Sequence, residues 1–187
     1  HTCAEGSDDR IYCWGRNNYG QIGDGTISDR STPVAVNAPE GVTLSRLTAG
    51  SYHTCAEGSD GNVYCWGYNV VGQLGDGTTT NRLSPVKVSA PASVTLSRLS
   101  AGDYHTCANG SDGEVYCWGS NFYGALGDST KIDSWTPVQV SAPDSVQLFD
   151  PDAGRYHTCA RSVAGPVYCW GYNGTGEVGD SDSTAHV

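Results

Sequence analysis

Eight cysteines and four histidines are the side chains of this sequence with the clearest capacity for chemistry. The cysteines form four pairs, and the two members of a pair lie ten positions apart. A histidine lies two residues before the first cysteine of every pair: His1, His53, His105 and His157. Thiolates and imidazoles bind structural zinc, whereas two thiols at a suitable distance form a disulfide. Whether the cysteines bind zinc or form disulfides depends on the secondary-structure elements that carry these residues.

The whole chain is a repeat with a period of 52 residues and no insertion. His-Thr-Cys-Ala recurs at 1–4, 53–56, 105–108 and 157–160, and Tyr-Cys-Trp-Gly at 12–15, 64–67, 116–119 and 168–171. Gly-Asp, Pro-Val and Ala-Gly-x-Tyr steps recur in the same register. A single repeat domain therefore spans 1–187, with copies 1–52, 53–104, 105–156 and an incomplete 157–187.

Each copy is expected to contain an antiparallel hairpin. In the second copy, strands 53–57 and 63–67 flank Ser-Asp-Gly, a three-residue loop whose glycine supplies a positive φ. Asp9 replaces that glycine in the first copy, and aspartate tolerates the same conformation. The Pro-Val-Lys-Val and Val-Thr-Leu-Ser-Arg-Leu segments predict two further strands in each unit.

Alternation along the hairpin predicts how the sheets pack. One face carries His53, Cys55, Val63 and Cys65, and the other carries Thr54, Ala56, Tyr64 and Trp66. Neither face is polar enough to be exposed to solvent, so each sheet must be covered on both sides. The predicted fold is all-β, with β-propeller blades of antiparallel strands. A β-solenoid is the alternative, although its coils are usually shorter.

In the predicted hairpins the two cysteines of each pair are directly opposed across the strands. Such positions lie within disulfide range. We therefore expect the bonds Cys3–Cys13, Cys55–Cys65, Cys107–Cys117 and Cys159–Cys169. Four disulfides favour an extracellular, cell-surface or periplasmic location.

The chemical alternatives are weaker. A zinc site would lack the Cys-x-x-Cys step and would find three ligands per blade, so no metal or other cofactor is expected. The recurring histidines are interpreted as structural, and the aspartates of the Gly-Asp steps as turn caps, with calcium as the alternative. No nucleophile or acid–base pair departs from the repeat, so no catalytic residue and no enzyme activity are expected.

Composition excludes further classes. The 187 residues carry a net charge of −10, which disfavours binding to nucleic acid. There is no run of 18 apolar residues, so membrane insertion is not expected.

The consecutive motifs Ala-Gly-x-Tyr-His-Thr-Cys-Ala, Asp-Gly-x-Val-Tyr-Cys-Trp-Gly-x-Asn and Gly-Gln-Leu-Gly-Asp-Gly-Thr resemble the regulator-of-chromosome-condensation repeat family. The resemblance covers essentially the whole chain. Its cysteine-bearing form is similar to repeats of secreted bacterial proteins. The resemblance implies a propeller, usually of seven blades, whereas this chain holds about 3.6 repeats. We expect either a fragment of a longer protein or a ring completed by several copies.

Positions that vary between copies predict the functional surface, because invariant positions build the blade. Aromatic and apolar residues at variable places are candidate anchors for a partner. They are Tyr19, Tyr68, Val71, Phe122, Tyr123, Trp135 and Tyr172, together with Arg155. The sequence therefore predicts a secreted or cell-surface module that binds a protein or a glycan of unknown identity. The alternative is a structural unit that assembles with copies of itself into an extracellular array or fibre.

Overall fold

The computed structural model describes residues 1–181 and 184, and all of its regular elements are β-strands. The fifth histidine, His186, to which the sequence assigns no role, lies outside the described residues. In chain order the strands are β1 (Thr2–Glu5), β2 (Ile11–Gly15), β3 (Arg30–Ala35), β4 (Leu44–Ala49), β5 (His53–Gly58), β6 (Val63–Gly67), β7 (Arg82–Lys87), β8 (Leu96–Ala101), β9 (His105–Gly110), β10 (Val115–Gly119), β11 (Ser134–Gln139), β12 (Leu148–Ala153), β13 (His157–Ser162) and β14 (Val167–Gly171).

The strands form four antiparallel sheets, each with its strands in sequence order. Blade 1 contains β1–β3, blade 2 contains β4–β7, blade 3 contains β8–β11 and blade 4 contains β12–β14. The most extensive strand-to-strand packing between successive blades always involves β4, β8 or β12, so the blades converge on these strands. This arrangement is an open stack of propeller blades, as the alternation of side chains predicts.

The blades are offset from the sequence copies. The segment Leu44–Ala49 belongs to the first copy, but it pairs with β5 of the second. Only the short turn around Gly50 separates β4 from β5, so the chain folds straight back into the next hairpin. The first strand of each later blade (β4, β8 or β12) is therefore contributed by the preceding sequence copy.

The central hairpins have the predicted register. Cys55 is opposite Cys65, and Glu57 is opposite Val63. Gly61 has a φ of 76° in the loop, and Asp9 has a φ of 61° at the same place in blade 1. All eight cysteines are in the four expected disulfides, with Cα–Cα distances of 4.0 to 4.1 Å. Each bond thus joins directly opposed residues of one hairpin.

The core lies between the blades. Cys55, Val63 and Cys65 of blade 2 pack against Ala108, Tyr116 and Trp118 of blade 3. The same two faces meet between blades 1 and 2 and between blades 3 and 4. In blades 2 and 3 the second hairpin strand, β6 or β10, is buried along its whole length. The predicted division of the hairpin into two buried faces is confirmed.

A polar contact repeats inside this apolar packing. The carbonyl of Gln73 in blade 2 accepts hydrogen bonds from Thr106 Oγ1 at 2.9 Å and Trp118 Nε1 at 3.0 Å, both in blade 3. His53 Nε2 lies 2.8 Å from Thr106 Oγ1. Because the Thr106 hydroxyl donates its only proton to the Gln73 carbonyl, His53 Nε2 is the donor in this bond. We call this set of four residues the blade junction. It recurs with Gln21, Thr54, Trp66 and His1, and with Ala125, Thr158, Trp170 and His105.

Replacing Thr106 with valine should lower the free energy of unfolding by about 1–3 kcal/mol, because His53 Nε2 then stays buried without a hydrogen-bond acceptor. The change preserves side-chain shape, so packing is little affected. Urea denaturation measures the effect. Thr2 is the exposed counterpart in blade 1, and Thr2→Val should change stability by less than about 0.5 kcal/mol. Equal effects of the two substitutions would contradict this role for the junction.

Candidate functional site

In blades 2, 3 and 4, two loops meet at one end of the stack. One is the turn before the first hairpin strand, which contains Tyr52 in blade 2. The other follows the second hairpin strand and begins with Tyr68. The amide of Tyr68 donates to the carbonyl of Tyr52 at 2.9 Å. Blades 3 and 4 repeat this bond at Tyr104 and Tyr156, so the two loops are held side by side in all three blades.

Seven tyrosines, six from these loops and Tyr19 from the equivalent loop of blade 1, form a continuous surface that we call the tyrosine ridge. Ring centroids of successive members are 4.7 to 6.3 Å apart, and the rings meet in tilted, edge-on or stacked arrangements. Every ring is half-buried, so its neighbours fix it while one side remains open to solvent. The members are Tyr19, Tyr52, Tyr68, Tyr104, Tyr123, Tyr156 and Tyr172.

A short polar row borders the ridge. Ser51 Oγ donates to Asp103 Oδ1 at 2.5 Å, and Arg155 Nε donates to Asp103 Oδ2 at 3.0 Å. The Arg155 guanidinium also lies over the ring of Tyr156, 5.0 Å from its centroid. These three residues are the variable position of the Ala-Gly-x-Tyr step. They therefore give each part of the ridge a different charge.

Tyr104, in the middle of the ridge, is held in its neutral form. Burial raises the pKa of Tyr104 above its usual value, and the nearby Tyr52, Tyr156 and Asp103 raise it further. At one end of the ridge, a cavity of about 350 Å³ is lined by Tyr123, Arg155, Tyr156, His157, Tyr172 and Glu177. Aromatic rings with a few charged groups at their border suit molecular recognition.

The predicted anchors fall in different places. Tyr19, Tyr68, Tyr123 and Tyr172 are in the ridge, and Arg155 borders it. Phe122 packs edge-on against Tyr123 with 70% of its surface exposed. Val71 is half-buried in the corresponding loop of blade 2. Trp135 lies on β11 instead, where it contacts Gly72 of blade 2 and is 52% exposed.

Sequence reasoning missed three central members of the ridge. Tyr52, Tyr104 and Tyr156 occur in every complete copy, so comparison between copies assigns them to the scaffold. Their signal is nevertheless visible in the Ala-Gly-x-Tyr step, where tyrosine directly precedes the buried histidine. A residue that every copy keeps can still line a surface when the copies are stacked.

In the first three Gly-Asp steps the aspartates Asp24, Asp76 and Asp128 cap their turns. Asp76 Oδ1 accepts from the amide and the hydroxyl of Thr78, and Asp76 Oδ2 accepts from Arg82. Burial opposes ionisation of Asp76, but the bonds from Thr78 and Arg82 outweigh it and lower its pKa. Among the described residues, no three acidic, histidine or cysteine side chains are grouped to hold a metal ion.

Two of the junction histidines, His53 and His105, are structural and neutral. His53 and His105 are completely or almost completely buried. Burial, followed by repulsion from the next histidine, lowers the pKa of His53 to about 3 and that of His105 to about 4. In addition, His53 Nδ1 has no hydrogen-bond partner within the described part of the chain, so a second proton there would have no acceptor.

The fold and the repeated loops define this chain as a run of β-propeller blades with one shared loop surface. It belongs to the regulator of chromosome condensation (RCC1) repeat family, whose model matches residues 8–56, 60–108 and 112–161. A second model of the same repeat matches 45–73, 97–125 and 152–177.

Curated relatives extend well beyond this chain. It is 35% identical to the ultraviolet-B receptor UVR8 of Arabidopsis thaliana over 98% of its own length and 42% of the receptor. It is 30% identical to the probable E3 ubiquitin-protein ligase HERC3 of Homo sapiens, over 96% of this chain and 17% of the ligase. The chain thus spans less than half the length of these relatives.

Solved structures share the blade arrangement. Human WBSCR16 has a TM-score of 0.86 at 21% identity, with 98% of this chain and 48% of that one covered. Prp20p from Saccharomyces cerevisiae has a TM-score of 0.73 at 27% identity, over 89% and 42% of the two chains. Prp20p is described as having binding properties toward Gsp1p and histones.

Stability should fall as the pH is lowered from 6.5 to 5, because His53 and His105 stay neutral in the folded chain but gain protons when unfolded. The stabilisation is fully present above an unfolded pKa of about 6.5, and it is lost progressively toward the folded values. Each histidine contributes a limiting slope of about 1.4 kcal/mol per pH unit. Urea denaturation between pH 7.5 and 5 measures the slope, and His53→Gln should reduce it by about half. A flat profile for the unmodified chain would contradict burial of neutral histidines.

Proposed function

We propose that this chain is a protein-binding module whose recognition surface is the tyrosine ridge. The observation that carries the proposal is the continuity of the ridge across all four blades. Tyrosine combines a large contact area with few rotatable bonds, and it is enriched at the energetic centres of protein interfaces. Half-buried rings are already ordered by their neighbours, so binding costs little side-chain entropy.

Two further features support a role in binding rather than catalysis. Relatives with the same blades include Prp20p, which is described as binding proteins. In addition, the charged side chains of Arg155 and Asp103 at the border of the ridge already pair with each other at 3.0 Å. The variable residues Ser51, Asp103 and Arg155 would then select the partner, while the tyrosines supply contact area.

We further propose that the module works outside the reducing cytosol, secreted or at a cell surface, as in cysteine-bearing bacterial proteins. The support is that all eight cysteines are consumed in four disulfides. Such bonds persist in oxidising compartments. The described part of the chain contains no helix that could cross a lipid bilayer. An unreduced sample from the natural source should have a mass eight hydrogens below that of the reduced chain.

The double substitution Tyr52→Ala and Tyr104→Ala should weaken partner binding at least tenfold, because it removes two adjacent rings from the middle of the ridge. The measurement is quantitative cross-linking of the chain to the secreted proteins of its source organism. Tyr12→Ala is the matched control, since Tyr12 lies on the hairpin strand β2 and should leave binding unchanged.

Three outcomes would contradict the proposal. They are equal loss of binding with Tyr12→Ala, retention of a glycan rather than a protein on the ridge, and a native mass that grows with protein concentration. The last result would favour the structural alternative, in which copies of the chain assemble with one another. Denaturation of each variant checks that the fold is kept.

A further inference from the structure

The loop that follows the second hairpin strand shares a set of internal hydrogen bonds in blades 1, 2 and 3. A buried asparagine holds the loop closed: Asn69 Nδ2 donates to Asp76 Oδ1 at 3.1 Å in blade 2. Asp76 Oδ1 also accepts from the amide of Thr78 at 3.0 Å. In blade 3 the corresponding distances, from Asn121 and Thr130 to Asp128, are 2.9 and 3.0 Å.

In blades 1 and 2 an arginine completes this loop. Arg82 Nε donates to Asp76 Oδ2 at 2.8 Å, and its Nη2 lies 3.4 Å from Thr78 Oγ1. Arg30 makes the same two bonds in blade 1, at 2.7 Å to Asp24 Oδ2 and 3.3 Å to Thr26 Oγ1. One guanidinium therefore bridges a carboxylate oxygen and a threonine hydroxyl. We call this position the guanidinium site.

Blade 3 keeps the acceptors and lacks the arginine. Ser134 stands where Arg82 and Arg30 stand, opposite the glycine that ends the second hairpin strand. Its hydroxyl donates to the carbonyl of Thr136 at 2.7 Å. Within the described residues, no ion pair of 4.0 Å or less involves Asp128 or the nearby Lys131. Asp128 Oδ2 is therefore left without the charge partner that its two counterparts have.

The same blade has gained exposed apolar side chains around this loop. Ile132 is 75% exposed, and its amide donates to Thr130 Oγ1, the hydroxyl that caps Asp128. Trp135 directly follows Ser134 and is 52% exposed. Their counterparts are Ser28 and Ser31 in blade 1, and Thr80 and Leu83 in blade 2, where Leu83 is 38% exposed. Blade 3, which lacks the arginine, therefore has the most exposed apolar side chains at these two positions.

We propose that the guanidinium site of blade 3 binds an arginine side chain of a partner protein, with apolar neighbours of that arginine resting on Ile132 and Trp135. The inference rests on the proposed function, since it assigns a second contact to the same protein-binding module. Arginine fits because Arg30 and Arg82 already show how one guanidinium satisfies both acceptors. An acidic chain with a net charge of −10 favours a cationic partner segment.

Lysine and a metal ion fit this site less well. In blades 1 and 2 two nitrogens of one planar group, Nε and Nη2, bind the same carboxylate oxygen, and Nη2 also reaches the threonine hydroxyl. A lysine ammonium would bring a single nitrogen to these acceptors. A metal ion would need several acidic, histidine or cysteine ligands, and the described residues offer no such group. The guanidinium fork is therefore the distinguishing feature of the proposed ligand.

The test is an NMR titration of the full chain with the capped peptide acetyl-Leu-Arg-Leu-amide. The Thr130 amide, which donates to Asp128, and the Trp135 indole should shift in a saturable way. The Thr78 amide is the internal control, because Arg82 already fills its site, and it should not shift. The matched peptide with citrulline in place of arginine should bind at least tenfold more weakly, since citrulline keeps the shape and loses the charge.

Ser134→Arg should fill the site from within and weaken peptide binding at least tenfold. Asp128→Asn serves as a second variant, because it removes the charge and keeps the size of the side chain. Equal binding of the citrulline peptide, unchanged binding to both variants, or equal shifts at Thr78 and Thr130 would overturn the proposal. Tyr52→Ala with Tyr104→Ala should leave peptide binding unchanged, so failure here is distinct from failure of the tyrosine ridge.

Discussion

Everything in this fold depends on one backbone carbonyl per blade junction. The carbonyls of Gln21, Gln73 and Ala125 each accept two hydrogen bonds, from a threonine hydroxyl and a tryptophan ring of the next blade. Both donors are buried, so each would be costly without this acceptor. Apolar packing between sheets has no direction of its own, whereas these bonds fix how one blade lies on the next.

That constraint also builds the tyrosine ridge. The tyrosine of each Ala-Gly-x-Tyr step directly precedes the histidine that begins the first hairpin strand, so the stacking of the blades sets the spacing of the rings. The ring centroids of Tyr52 and Tyr104 are 5.7 Å apart, and those of Tyr104 and Tyr156 are 6.1 Å apart. Because the blades stack at regular intervals, these tyrosines also recur at regular intervals along the ridge. Specificity then has to come from the residues that differ between copies, such as Asp103 and Arg155 beside the ridge and Ser134 in the third loop.

The local features of the fold followed from the sequence. Hairpin register and disulfide pairing involve residues ten positions apart, and alternation assigned Cys55 and Trp66 to opposite faces. Features that arise between copies were harder to predict. The transfer of Leu44–Ala49 to the next blade and the grouping of Tyr52 with Tyr19 both depend on contacts across blades. The proposed site at Asp128 can be recognised only by comparison with the equivalent aspartates of blades 1 and 2, which bind Arg30 and Arg82.

Hydrogen–deuterium exchange on the Thr106→Val variant tests most directly whether the junction joins the blades. Thr106 belongs to blade 3, and its partners His53 and Gln73 belong to blade 2. If the junction couples the two sheets, amides of β5 and β6 and those of β9 and β10 should all exchange faster than in the unmodified chain. Faster exchange confined to β9 and β10 would show that blade 2 holds its structure without the junction, and would contradict the account.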